Sequence, residues 1–68
     1  MKSYPCRVSC NQGVVKILSV QTNKYVLLPI DKCSIKSIKQ MKLDGKFDNG
    51  KSWIMNLTQF EMNKLKGL

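Results

Sequence analysis

The sequence predicts an α+β domain that is mainly β, with four or five short antiparallel strands and one short C-terminal helix. Three stretches carry that expectation. Residues Gly13 to Ile30, GVVKILSVQTNKYVLLPI, are rich in β-branched and apolar side chains, which suit a pleated, half-buried surface and disfavour a helix. Trp53, Met55 and Leu57 fall at every second position, the period of a strand with one covered face. Thr58-Gln59-Phe60-Glu61 has the form of a capping box, in which a hydroxyl and a carboxylate three residues apart satisfy each other's backbone N–H groups at a helix start.

Taken in order, Cys6-Arg7-Val8-Ser9-Cys10 alternates as a first strand should, with Cys6, Val8 and Cys10 on one face. Pro5 marks its start or an edge, and Asn11-Gln12-Gly13 reads as its turn, Gly13 supplying a positive φ. The long stretch that follows divides at Gln21-Thr22-Asn23 into two strands. In the second of them Val26, Leu28 and Ile30 share one face, and Tyr25, Leu27 and Pro29 the other. In the first, Val15 and Ile17 alternate one way and Val14, Leu18 and Val20 the other, so the pattern leaves the inward face open.

Asp31-Lys32-Cys33-Ser34 reads as a tight polar turn or a single helical turn, with Asp31 available as its cap. From Ile35 to Leu43 the period is mixed. Ile35 and Ile38 are spaced as on a helix, Met41 and Leu43 as on a strand, and the balance favours a strand from Ser37 to Leu43. Asp44-Gly45-Lys46 and Asp48-Asn49-Gly50 are turn signals, the second suited to a tight hairpin of the primed type, with Phe47 anchoring the loop between them. Lys51 to Leu57 is the last strand, with Trp53, Met55 and Leu57 inward. A helix from Gln59 to Lys66 follows, with Thr58 as N-cap, Glu61 at the third position and Leu57 and Met62 as a hydrophobic staple. Gly67 is its stop, and Lys64 and Lys66 complement the negative end of its dipole. Phe60 lies off the Met62 and Leu65 side and is directed at a second surface, such as a partner subunit.

A single domain spanning 1–68 is small for a self-sufficient core, since a chain of this size buries only about 60% of the surface it exposes when unfolded. Self-association is one remedy, and a homo-oligomer, most simply a dimer, is expected. Catalysis is not. With no His the chain lacks the commonest general base and metal ligand, and Asp31, Asp44, Asp48 and Glu61 each have a structural use in a turn or cap. Neither a phosphate-cradling glycine loop nor a nucleophile motif occurs, and Cys33 beside Lys32 has no partner base. Cys6 and Cys10, if they share a strand, are about 13 Å apart, beyond the reach of a disulfide. As zinc ligands, Cys6, Cys10 and Cys33 lack a fourth donor. The three are read as core thiols, with metal binding or redox pairing as the alternatives, and no cofactor or metal is implied. No run of about 18 apolar residues suggests a membrane span, and MKSYPCRVSC lacks the apolar core of a secretory signal, so a cytoplasmic location is expected.

The functional signal is charge. Twelve basic residues against four acidic ones give a net charge of +8 and point to an anionic partner, nucleic acid or an acidic protein. An AT-rich genome would account for the lysines but not for the scarcity of Glu. Lys32, Lys36, Lys39, Lys42, Lys46 and Lys51 place half of the cations within twenty positions and are the candidate phosphate-binding groups. Tyr25, Phe47 and Trp53 are candidate stacking groups, and Tyr25, Phe47 and Phe60 a candidate partner interface. The simpler alternatives are a solvated Lys-rich face that guards an edge strand, and Trp53 as a core residue. Arg7 is the one Arg, and base reading depends mainly on Arg, so any binding of nucleic acid is directed at the backbone. The first reading is a small basic non-enzymatic regulator. Alternatives are a protein-binding accessory or inhibitor, as a phage or mobile element would encode, and a sponge for a small anionic nucleotide.

Ile17 to Asp31, Ile35-Lys36-Ser37-Ile38, Asn49-Gly50-Lys51 and Trp53 to Leu65 together resemble the small flagellar FlbD family in the order of their elements. That resemblance implies a hairpin, a Ser-Ile segment, an Asn-Gly or Asp-Gly turn, and a strand leading into a short helix. The chain departs from the family in its Cys-bearing leader and in being basic after the Ser-Ile segment. The predicted sheet is similar, more distantly, to LytTR-type DNA-binding sheets, without their characteristic motifs.

Overall fold

A computed structural model describes residues 2–65. The fold is α+β and mainly β: one open antiparallel sheet of four strands, β1 (Ser3–Asn11), β2 (Val14–Ser19), β3 (Tyr25–Pro29) and β4 (Ser52–Thr58), in spatial order β3-β2-β1-β4. Two short helices, α1 (Lys36–Leu43) and α2 (Gln59–Asn63), complete it, with single 3-10 turns at Ile30–Lys32 and Asp48–Gly50. β1 to β3 form a meander. The chain then crosses one face of the sheet through α1 and returns as β4 on the far side of β1.

The β1–β2 turn is where a primed hairpin occurs. Gln12 and Gly13 have φ values of 52° and 77°, and Asn11 pairs directly with Val14, so a two-residue turn whose twist matches the strands sets the register. Cys6 then lies opposite Ser19, Val8 opposite Ile17, and Cys10 opposite Val15. This register settles the face left open by the pattern: Val15 and Ile17 are buried, while Val14, Leu18 and Val20 point away from the core. The β2–β3 connection closes through Ser19, whose N–H donates to the Lys24 carbonyl at 2.8 Å and whose carbonyl accepts from Asn23 N–H at 2.8 Å. The same pairing chooses between the two apolar faces of β3: Val26 and Leu28 face inward against Ile17 and Val15, and Tyr25 and Leu27 outward.

The segment after β3 departs from the expected structure in three places. The single turn at Ile30–Lys32 begins at Pro29 with no side-chain cap, so Asp31 sits in its first turn and does not cap it. The strand expected from Ser37 to Leu43 is the helix α1. Ile35, Ile38 and Met41 recur at helical spacing and turn toward the sheet, whereas Leu43, which suggested alternation, is 81% exposed. Lys, Gln, Met and Leu are also good helix formers. Asp44-Gly45 is the helix stop: Gly45, at φ 72°, donates to the Lys42 carbonyl at 3.1 Å, and Lys46 N–H to the Met41 carbonyl at 3.0 Å. That pair of bonds is a Schellman motif, which satisfies carbonyls the helix end leaves free. Asp48-Asn49-Gly50 is correspondingly a 3-10 turn leading into β4 and not a primed hairpin.

β4 runs antiparallel to β1, with Leu57 opposite Tyr4, Met55 opposite Cys6 and Trp53 opposite Val8, so all three lie on the inner face as expected. The capping box is present in full: Glu61 N–H donates to Thr58 Oγ1 at 3.2 Å and Thr58 N–H to Glu61 Oε1 at 3.0 Å. The helix it starts is little more than one turn long, ending at Asn63 with Lys64 as C-cap. It therefore stops short of the expected end at Lys66, since Lys64 and Leu65 already form a turn, and the expected stop at Gly67 lies outside the described residues.

The core sits between the inner face of the sheet and the crossing segment. Cys6, Val8, Cys10, Val15, Ile17 and Leu57 from the strands meet Cys33, Ile35, Ile38, Phe47 and Leu65 from the other layer. All three thiols are free and buried, and burial pushes the Cys6 thiol above its ordinary range because the thiolate would lose its solvation. Among the described residues no helix is long and apolar enough to cross a membrane.

Candidate nucleic-acid interface

The fold gives the molecule two faces of different chemistry. On the helical side, Lys36, Lys39 and Lys42 recur every third residue along α1, so each is a neighbour of the next, and all three are exposed. Lys32 is exposed on the preceding 3-10 turn, and Lys46 and Lys51 flank the Asp48–Gly50 turn. The six predicted phosphate-binding lysines therefore belong to the segment that crosses the sheet. They do not form one continuous groove. Lys39 and Lys42 line an open depression of about 360 Å³ with Ile30, Asp31 and Leu43. Lys36 lines another of about 360 Å³ with Phe60, Glu61 and Lys64. Lys46 is drawn aside, its ammonium 5.5 Å from the Trp53 ring centre. Each of these two depressions also contains a carboxylate, so the positive potential there is interrupted.

The aromatic candidates separate. Phe47 is 3% exposed and belongs to the core cluster, so it offers no surface for stacking or for a partner, and its place in the predicted interface is corrected accordingly. The reason is the Schellman turn, which directs the chain after Lys46 back under the sheet. Trp53 is 39% exposed on the inner face near the β4 edge, and its indole N–H donates to the Lys46 carbonyl at 2.7 Å. It is a rim residue and not a free platform. Phe60 is 70% exposed with Lys64 over its ring at 4.6 Å. Tyr25 is 54% exposed on the outer face of β3.

That outer face is what sequence reasoning misses. No helix or loop among the described residues covers it. Its transverse rows follow from the pairing: Ile54, Arg7, Leu18 and Tyr25 form one, and Ser52, Ser9, Lys16 and Leu27 the next. Val14 and Pro29 continue the apolar area toward the β1–β2 turn. The Lys16 ammonium lies 4.8 Å from the Tyr25 ring centre, and an Arg7 guanidinium N–H reaches Ser52 Oγ at 3.3 Å. No Asp or Glu occurs in any strand; the four carboxylates are all in the helices and turns of the other layer. The signal that could have found this face is the second alternation in Gly13–Ile30, where Val14, Leu18, Tyr25 and Leu27 are as apolar as the residues that make the core.

Among the described residues no group of three or more Cys, Asp or Glu is placed to hold a metal ion. Comparison of the chain with family models, curated proteins and solved structures found no significant match to any of them.

Proposed function

We propose that this chain is a small non-enzymatic nucleic-acid-binding regulator that engages the phosphate backbone through the lysines of its crossing segment. The observation that carries the reading is the row Lys36, Lys39 and Lys42, three exposed ammonium groups one helical turn apart on α1, with Lys32, Lys46 and Lys51 on the flanking turns. Ammonium groups act as point charges without the planar fork that reads base edges, so they add affinity more than sequence preference. Replacing Lys36, Lys39 and Lys42 together by Gln tests it. For every phosphate that no longer meets an ammonium, the dependence of log K on log salt falls by about 0.9 for duplex DNA, or about 0.7 for single strands. A salt slope equal to that of the unaltered protein overturns the assignment.

A second reading, a protein-binding accessory or inhibitor with a larger acidic partner, draws support from Leu43 and Phe60, large apolar groups exposed on the helical side of the molecule. Capture of partners from the source cell with and without nuclease separates the two: loss of all captured material on nuclease treatment favours the first, retention of one protein the second. A protein isolated with a nucleotide absorbing near 260 nm would favour the sponge.

A further inference from the structure

We infer that the uncovered face of the sheet is a binding surface for single-stranded nucleic acid, with Tyr25 as the stacking group and Lys16 and Arg7 as the cations that meet phosphate. This deepens the proposal above by naming the strand state and a second surface, and it rests on that reading for the class of partner. Where only one face of an antiparallel sheet is packed, the other ordinarily alternates to polar residues. Here it does so on β1, with Ser3, Ser9 and Asn11, but not on β2 and β3, where Val14, Leu18, Tyr25 and Leu27 stand outward. An apolar half-face beside a polar one, crossed by two cations, suits a ligand that is flat and apolar in one part and anionic in the next.

Charge chooses the occupant. Arg7 and Lys16 are the only ionisable groups among the outward residues of the strands apart from the Tyr25 phenol, and no carboxylate accompanies them. A second copy of the chain laid face to face would bring cations against cations with no acidic group to separate them. A nucleic-acid strand brings the opposite sign. A duplex cannot use Tyr25, because its bases are stacked and their faces hidden, whereas an unpaired base can lie on the ring. The Lys16 ammonium, now over that ring at 4.8 Å, sits where it would yield the ring to a base and move to the adjoining phosphate. Leu27 and Leu18 flank Tyr25 with apolar surface for the sugar and a neighbouring base.

Fluorescence anisotropy with a labelled dT20 oligonucleotide and with a 20-base-pair duplex, using the whole protein, tests this. The expected result is tighter binding of the single strand, weakened by roughly 5- to 150-fold in Tyr25→Ala and retained in Tyr25→Phe, with little change in duplex binding. Tyr25 is exposed, so the variants are expected to fold; an unchanged circular dichroism spectrum and melting temperature establish that. Equal affinity of Tyr25→Ala and the unaltered protein for dT20 overturns the inference, as does a dimer in sedimentation that Leu27→Asp dissociates, since a second copy would then occupy the face. The two proposals fail separately. A reduced salt slope in the Lys36, Lys39 and Lys42 variant with the single-strand preference intact supports both, and an unchanged slope there removes the first surface while leaving the Tyr25 result to decide the second.

Discussion

The covered and uncovered faces of the sheet have similar hydrophobic density along β2 and β3, yet they differ in what the rest of the chain does with them. The inner face receives α1, the Phe47 turn and Leu65, and closes into a core without a buried side-chain polar atom left unsatisfied among the described residues. The outer face receives nothing from those residues. Alternation in a strand thus reports that a face is suited to burial, not which of two suited faces is buried. Here the β1 sequence decides, because Cys6, Val8 and Cys10 are inward where Arg7 and Ser9 are outward, and pairing transmits that choice to both neighbours.

Substitution of one residue from each face gives the widest contrast. Ile17→Ala empties a fully buried site and is expected to cost about 2–5 kcal/mol in chemical denaturation, whereas Leu27→Ala on the other face stays within about 0.5 kcal/mol. Equal losses at the two positions would mean that the outer face is covered in solution. The next test concerns how the covering layer is steered. Gly45→Ala forces a Cβ into the left-handed region, 3.0 Å from Asp48 Oδ2, and is expected to cost about 1–2 kcal/mol and to loosen the Phe47 turn. A variant as stable as the parent would show that the Schellman turn does not hold Phe47 in place. The smallest effect expected is a pH dependence of the covered side. The Cys6 thiol titrates higher when folded than when unfolded, so the unfolded chain loses its proton first as pH rises. The contribution is full below the unfolded value of about 8.5 and is lost as pH climbs through the folded value. Thermal melts from about pH 7 to 10 check this, and Cys6→Ser should flatten the alkaline decline; an identical decline in Cys6→Ser would assign it to other groups.

Much of this architecture is legible from local chemistry. The first hairpin, the β2–β3 division, the inward set of β4 and the Thr58–Glu61 box all depend on residues close together in sequence, and all are found where the pattern places them. The segment from Ile35 to Asp48 is not legible in that way, because its decisive constraints are distant. Ile38 and Phe47 are buried only because the chain must cross the sheet to reach β1 from the other side, and Gly45 has the chemistry of a loop turn in sequence but ends a helix in space. The candidate site divides the same way. Exposure of the six lysines follows from their chemistry, but their interruption by Asp31 and Glu61 follows only from tertiary placement, and the bare outer face is visible only once all four strands are in register.

Because β4 runs back along β1, Ser3 pairs with Thr58 at the same end of the sheet, and tension between the two strand ends would load that ladder one hydrogen bond at a time instead of along its whole length. Such a geometry peels rather than shears. A cellular unfoldase pulling from the C-terminal side would meet little mechanical resistance at its first step, and stripping away Leu57 and Met55 would lay Cys6 open before the meander itself gave way.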